Sequence, residues 1–243
     1  MSPARAEFDH AHPRYAAVLR DHVREGLVDY AGLKVHPEPL AAYLDELAAV
    51  TEREFNSWVV AERLSFMINL YNAQVLQLVA DHYPVSGIRR IGGWFGTPWN
   101  ERPVVRLFGN RITFDILVDN YMRRHYAEPA IHLALVCATR GAPPLRDEPY
   151  VPDRLYDQFL DQGRAFLVRA PGNRIDLEGR RLYLSPVFQR YQEDFERKAG
   201  SVAAYVRIYV APDLGEALRR ERFSIRYTDY DWALNDQTPQ RRR

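Results

Sequence analysis

Residues 58–80, Trp-Val-Val-Ala-Glu-Arg-Leu-Ser-Phe-Met-Ile-Asn-Leu-Tyr-Asn-Ala-Gln-Val-Leu-Gln-Leu-Val-Ala, form the longest apolar stretch of the chain. Wound as a helix they are apolar around most of the circumference, so no broad face is left for water. Such a helix must be surrounded by other elements. It falls short of the ~20 uninterrupted apolar residues of a membrane span, so it is predicted to be the buried central helix of a soluble domain.

The rest of the chain is patterned to wrap it. Pro13 opens a predicted helix over 13–24, and Leu40, Tyr43, Leu44 and Leu47 recur at helical spacing over 39–50. Val28-Asp-Tyr-Ala-Gly reads as a short extended piece, and 84–103 as a Gly-, Pro- and Trp-rich surface loop in which Trp94, Phe95 and Trp99 either form an aromatic lid or partner surface or pack the loop onto the core. Residues 104–114 read as a hairpin turning at Gly109-Asn110, and 174–184 as a second hairpin. Helices are predicted over 114–126, 153–168 and 201–210, with one capped at Ser185-Pro186 and a short one after Asp213. Phe223–Tyr227 alternates like a strand, while 131–138 fits either a strand or a helix turn. The fold class is α+β, a helix-dominated single domain over 1–235 with a small antiparallel or mixed sheet, followed by a disordered basic tail over 236–243.

Composition narrows the chemistry. All but Lys34 and Lys198 of the 33 basic residues are arginine, yet the net charge is only +1, which argues against a nucleic-acid partner. The single cysteine excludes an internal disulfide and a multi-thiolate metal site. His10 and His12 are the only close histidine pair, so no metal and no cofactor is expected. The amino terminus has no apolar core of the signal-peptide kind, which suggests the cytoplasm for the chain as written and export if a leader was removed.

Residues 131–146, Ile-His-Leu-Ala-Leu-Val-Cys-Ala-Thr-Arg-Gly-Ala-Pro-Pro-Leu-Arg, carry the strongest functional signal. Cys137 is the one candidate thiol nucleophile, His132 a candidate base or orienter, and Arg140 and Arg146 are cations placed to lower a thiol pKa. The spacing of five sets His132 and Cys137 on opposite faces of a strand, so a direct partnership needs a bend. A core cysteine is the alternative. Asn69 and Asn72 share one face of the central helix and either meet a ligand or tie the helix to neighbouring backbone. Tyr230, Asp231 and Asn235 pose the same choice near the carboxy terminus, and Glu62 either reaches the same cavity or is solvated.

Four blocks taken in order resemble the bacterial and plant domain of unknown function family 547. They are Val28-Asp-Tyr-Ala-Gly-Leu-Lys, Phe66-Met-Ile-Asn-Leu-Tyr-Asn-Ala, Ile131-His-Leu-Ala-Leu-Val-Cys-Ala with Pro143-Pro-Leu-Arg, and Tyr230-Asp-Trp-Ala-Leu-Asn. Leu184-Ser-Pro-Val-Phe with Tyr191 and Asp194-Phe is a weaker fifth. The resemblance implies that relatives often carry a second cysteine where Ala142 stands, and an Ile-Glu-His-like stretch where Leu117-Val118-Asp119 align. Two readings follow. One is a cysteine-dependent hydrolase or acyl transferase on an amide or thioester, with Cys137 and His132 catalytic and Asn69 and Asn72 lining the site. The other, favoured by the departures at Ala142 and Val118-Asp119, is a non-catalytic module binding a peptide or small molecule.

Overall fold

Pro13 begins α1 (Pro13–His22), and the chain then leaves the helix into the short antiparallel pair β1 (Val23–Arg24) and β2 (Leu27–Val28). A Cβ on Gly26 would lie 2.7 Å from Pro144 Cβ, so only glycine lets this hairpin seat against the Pro-Pro loop. The predicted extended piece ends at once, because the Asp29 carboxylate accepts from Gly32 N–H (2.9 Å) and starts α2 (Tyr30–Val35). α3 (Glu38–Ala48) follows its predicted span closely, and α4 (Glu52–Ser57), unforeseen, is capped by Thr51.

The structure is a computed structural model that describes residues 7–91, 101–169 and 172–238. α5 (Val60–His82) is the central helix, buried almost without break from Leu64 to Ala80. Trp58 belongs to the connection before it, and Glu62 accepts from Val59 N–H (2.8 Å), so this carboxylate serves the helix start. The predicted aromatic lid residues Trp94, Phe95 and Trp99 lie outside the described residues.

β3 (Val105–Leu107) and β4 (Asn110–Ile112) form the expected hairpin one residue out of the predicted register. Phe108 and Gly109 both take positive φ (50° and 76°), so they are the turn and Asn110 pairs with Leu107. Phe108 tolerates this because its ring is held against Phe55 at 5.1 Å. α6 (Phe114–Ile116) then widens into a π-helical turn over Leu117–Arg123.

After α7 (Ile131–Ala134) and α8 (Leu155–Arg169) come β5 (Arg174–Asp176) and β6 (Arg181–Leu184). They are followed by α9 (Pro186–Arg190), α10 (Gln192–Ala199), α11 (Val202–Val206), α12 (Pro212–Arg220) and β7 (Ser224–Tyr227). β6 pairs antiparallel with β5 and parallel with β7, a mixed three-stranded sheet. The domain is therefore helix-dominated α+β, and among the described residues no helix is long and apolar enough to cross a membrane.

Its interior has two apolar clusters. The larger surrounds α5; the smaller lies under the β5–β6–β7 sheet and includes Phe166, Phe188 and Phe195. α7 straddles them, with Ile131 and Ala134 in the first and Leu133 in the second. The carboxy-terminal block closes the larger cluster with Leu234, whereas Trp232, expected inside, is 46% exposed beneath the Arg89 guanidinium. Pairing continues past residue 235, the expected start of a disordered tail: Asp236 bridges Val28, and the Gln237 N–H donates to Val28 O (3.0 Å). Residues 239–243 of that tail lie outside the described residues.

Candidate functional site

The bend that the 132/137 spacing demands is present, and Asn72 makes it. Its side-chain N–H donates to Ala134 O (3.1 Å) and its carbonyl accepts from Val136 N–H (3.0 Å). The amide thus acts as a one-residue strand partner and ends α7 after a single turn. Asn69 does the same for the loop before α8, donating to Tyr150 O (2.8 Å) and accepting from Tyr150 N–H (3.0 Å). Each amide thus places one N–H and its carbonyl on backbone.

Beyond Val136 the chain is zipped to the carboxy-terminal block. Arg140 and Gly141 N–H donate to Ala233 O and Asp231 O (both 2.9 Å), and a Cβ on Gly141 would lie 2.8 Å from Asp231 N. Arg140 itself is exposed. The Tyr230 hydroxyl pairs with Thr139 Oγ1 (2.7 Å), and Asp231 Oδ1 accepts from Ala233 N–H (3.0 Å). Asn235 accepts from the Tyr30 hydroxyl (2.7 Å). Arg146 turns away, donating to Glu148 (2.6 Å) and Asp161 (2.7 Å); with Arg154 it holds the Glu148 carboxyl down at about 2 despite partial burial.

Cys137 is half-buried, and burial of its sulfur pushes the thiol up. Its hydrogen-bond partner is the Tyr71 hydroxyl at 3.8 Å, and the charges that reach it are Arg190 and Asp115. His132 is elsewhere engaged. Its Nε2 lies 2.8 Å from Asp194 Oδ2 and its ring stacks on Tyr191 at 3.6 Å and 6°. Tyr191 is also close enough to Cys137 for a thiolate there to raise the phenol. The phenol therefore stands by both groups, and among the described residues no hydrogen bond joins His132 to Cys137.

Asp194 is the hub of the opposite side. It accepts from Arg123 Nε (2.7 Å) and, through its other oxygen, from Arg197 (3.3 Å), while Arg123 also donates to Asp119 (2.8 Å). The π turn sets Asp119 and Arg123 side by side. His132 and Arg123 hold the Asp194 carboxyl well below the usual carboxylate range. Burial lowers the His132 pKa more than Asp194 raises it, so the imidazole is neutral at pH 7. The network assigns the proton to Nε2, which leaves Nδ1 an acceptor that is buried without a partner. A pocket of about 130 Å³ opens beside this array, lined by His132, Asp194, Arg123, Glu128, Arg197 and Lys198. Lys198 faces Glu128 across it at 3.3 Å.

The sequence signal for Asp194 was its place beside Phe195 in the weakest of the matching blocks; nothing in the sequence pairs it with a histidine 62 positions away. Arg123 left only the Asp119/Arg123 spacing of four. Among the described residues no three of His, Cys, Asp and Glu converge as a metal-ligating set.

Residues 55–167 match the model of the family described as protein of unknown function, DUF547. The matched segment holds His132, Cys137, Asn69 and Asn72, while Tyr191 and Asp194 lie beyond it. Comparisons with curated proteins and with solved structures find no match.

Proposed function

We propose that the protein is a small-ligand binding module, and that its ligand occupies the pocket beside His132 and Asp194. The observation that carries this reading is the division of the two groups a thiol enzyme would need to join. Cys137 meets a phenol and has its thiol raised, whereas His132 is stacked on Tyr191 and committed to Asp194. A thiol hydrolase or acyl transferase needs the opposite, a thiolate beside a base. The pocket fits a small polar molecule with an acidic group. Arg197 and Lys198 are the cations at its rim, and each is held only by a single 3.3 Å contact with a carboxylate.

Thermal-shift titration with a panel of free amino acids and short-chain carboxylates tests the reading. A binder raises the melting temperature, since saturation to about 100 times Kd stabilises by about 2.7 kcal/mol, and the shift is lost in Lys198→Ala and Arg197→Ala. Absence of any shift overturns it. Iodoacetamide supplies the second arm: Cys137 is expected to react more slowly than a free model thiol, with a midpoint above about pH 8.5. Faster labelling with a lower midpoint overturns the reading in favour of the cysteine enzyme.

A further inference from the structure

The mixed sheet hides one face and exposes the other. Leu182 and Leu184 of β6 are buried, and Ile175, Ile225 and Tyr227 pack with them over the smaller cluster. The intervening residues point to solvent. The register places Arg174 opposite Tyr183 and Tyr183 opposite Arg226, so one row across the sheet reads Arg-Tyr-Arg, with Arg181 in the next row. Adjacent strands are about 4.8 Å apart, which sets three guanidinium groups around one phenol.

Arginine predominates on this face, although Asp176 stands opposite Arg181 in the register. Among the described residues, Arg174, Arg181 and Arg226 have no carboxylate within ion-pair distance. Asp176, on the same face, is turned to the hairpin and accepts from Gly179 N–H (2.9 Å); Asp229 stands at the rim. The Arg174 guanidinium lies 4.2 Å over the Tyr183 ring. Arg181, Tyr183 and Arg226 line an open trough of about 570 Å³. A net charge of +1 for the whole chain does not describe this patch.

We propose that the solvent face of β5–β6–β7 binds single-stranded nucleic acid, with Arg174, Arg181 and Arg226 on phosphates and a base stacked on the Tyr183–Arg174 pair. Unpaired arginines fit any polyanion. The half-buried Tyr183 ring with a guanidinium upon it favours a base, which gains stacking there, over a carboxylate side chain, which does not. An unstacked strand is required because a duplex keeps its base faces covered.

Fluorescence anisotropy with a labelled oligothymidylate of about 12 nucleotides tests the proposal on the whole chain. Binding should saturate and weaken with salt between about 50 and 200 mM, with a log–log slope near −2, about 0.7 for each of three phosphates. Arg226→Ala and Arg174→Ala should each reduce that slope by about 0.7. Tyr183→Ala should weaken binding roughly tenfold at every salt concentration, and Tyr183→Phe should keep it. These side chains are on the surface, and unchanged melting temperatures confirm that the variants fold. Absence of saturable binding, or binding indifferent to the arginine variants, overturns the proposal. Equal affinity for a duplex with no effect of Tyr183→Ala, or tighter binding of a poly-glutamate peptide, overturns it in favour of another polyanion.

Discussion

Asn72 and His132 lie against the same bend of the chain, both buried, and differ in how their polar atoms are used. The Asn72 amide gives its N–H to Ala134 O and its carbonyl to Val136 N–H, and Asn69 repeats this with both backbone groups of Tyr150. His132 gives Nε2 to Asp194 and keeps Nδ1 without a partner. Buried polar groups in native proteins are nearly always satisfied, and an exception asks for a reason. The amides, which the sequence left between a ligand and a backbone tether, each set one N–H and the carbonyl on backbone. The group left with an unused acceptor is the one beside the pocket.

That contrast breaks first at the amides. Asn69→Ala and Asn72→Ala each strand one buried N–H and one buried carbonyl, at roughly 1–3 kcal/mol per group. Chemical denaturation should show each variant destabilised by about 2–6 kcal/mol. An Asn72→Ala protein as stable as the parent, yet unable to bind a ligand, would move that amide into the site.

Asp194→Asn has the next largest effect. It removes the negative charge that gathers Arg123, His132 and Arg197, and should lower stability by about 1–3 kcal/mol. Because the folded carboxyl is depressed, its contribution is complete above the unfolded value near 3.9 and is lost as pH falls below it. The variant should therefore differ from the parent at pH 7 and converge with it in strong acid. A constant difference across that range would show that the carboxylate charge is not what holds the array.

His12 sharpens the comparison from the other end of the core. It is buried beside Tyr43, its hydroxyl 2.8 Å from Nδ1, and burial lowers its pKa to about 3. The unfolded chain takes up a proton below about 6.5 and the folded one does not, so stability should fall on acidification from 6.5 toward 3. The slope is at most about 1.4 kcal/mol per pH unit for this group. Denaturant midpoints across that window should flatten in His12→Gln. No change in slope would mean that His12 titrates equally in both states.

The smallest effect is expected at Trp232. Half out of the protein and touching Tyr230 and Arg89, it resembles a surface cation–π site, worth about 0.5–1 kcal/mol. Trp232→Ala should shift stability by no more than that, whereas Leu234→Ala should cost about 2–5 kcal/mol. Equal losses would place both inside.

The central helix, the two hairpins, the Ser185 cap and the α+β class were legible in the sequence because each rests on neighbours in the chain: periodicity, turn residues, a cap one residue before proline. The errors were local competitions. Asp29 captured Gly32 N–H and made a helix of a predicted extended piece, and the Phe108 ring found an anchor that let it take a turn conformation assigned to Asn110. Trp232 was assigned to the interior for its size, but what lies inside is settled by which residues the 138–141 and 231–235 segments present to the core after they pair.

The sequence by itself determined that this chain folds as a helix-dominated domain around residues 60–82, since a helix apolar on all sides has no stable place except a core. It also singled out the segment holding His132 and Cys137. Only the tertiary structure decided what those two residues meet. A side chain's protonation and reach depend on groups that approach through space: Asp194 and Tyr191 for the imidazole, Tyr71 and burial for the thiol. No spacing along the chain records that approach.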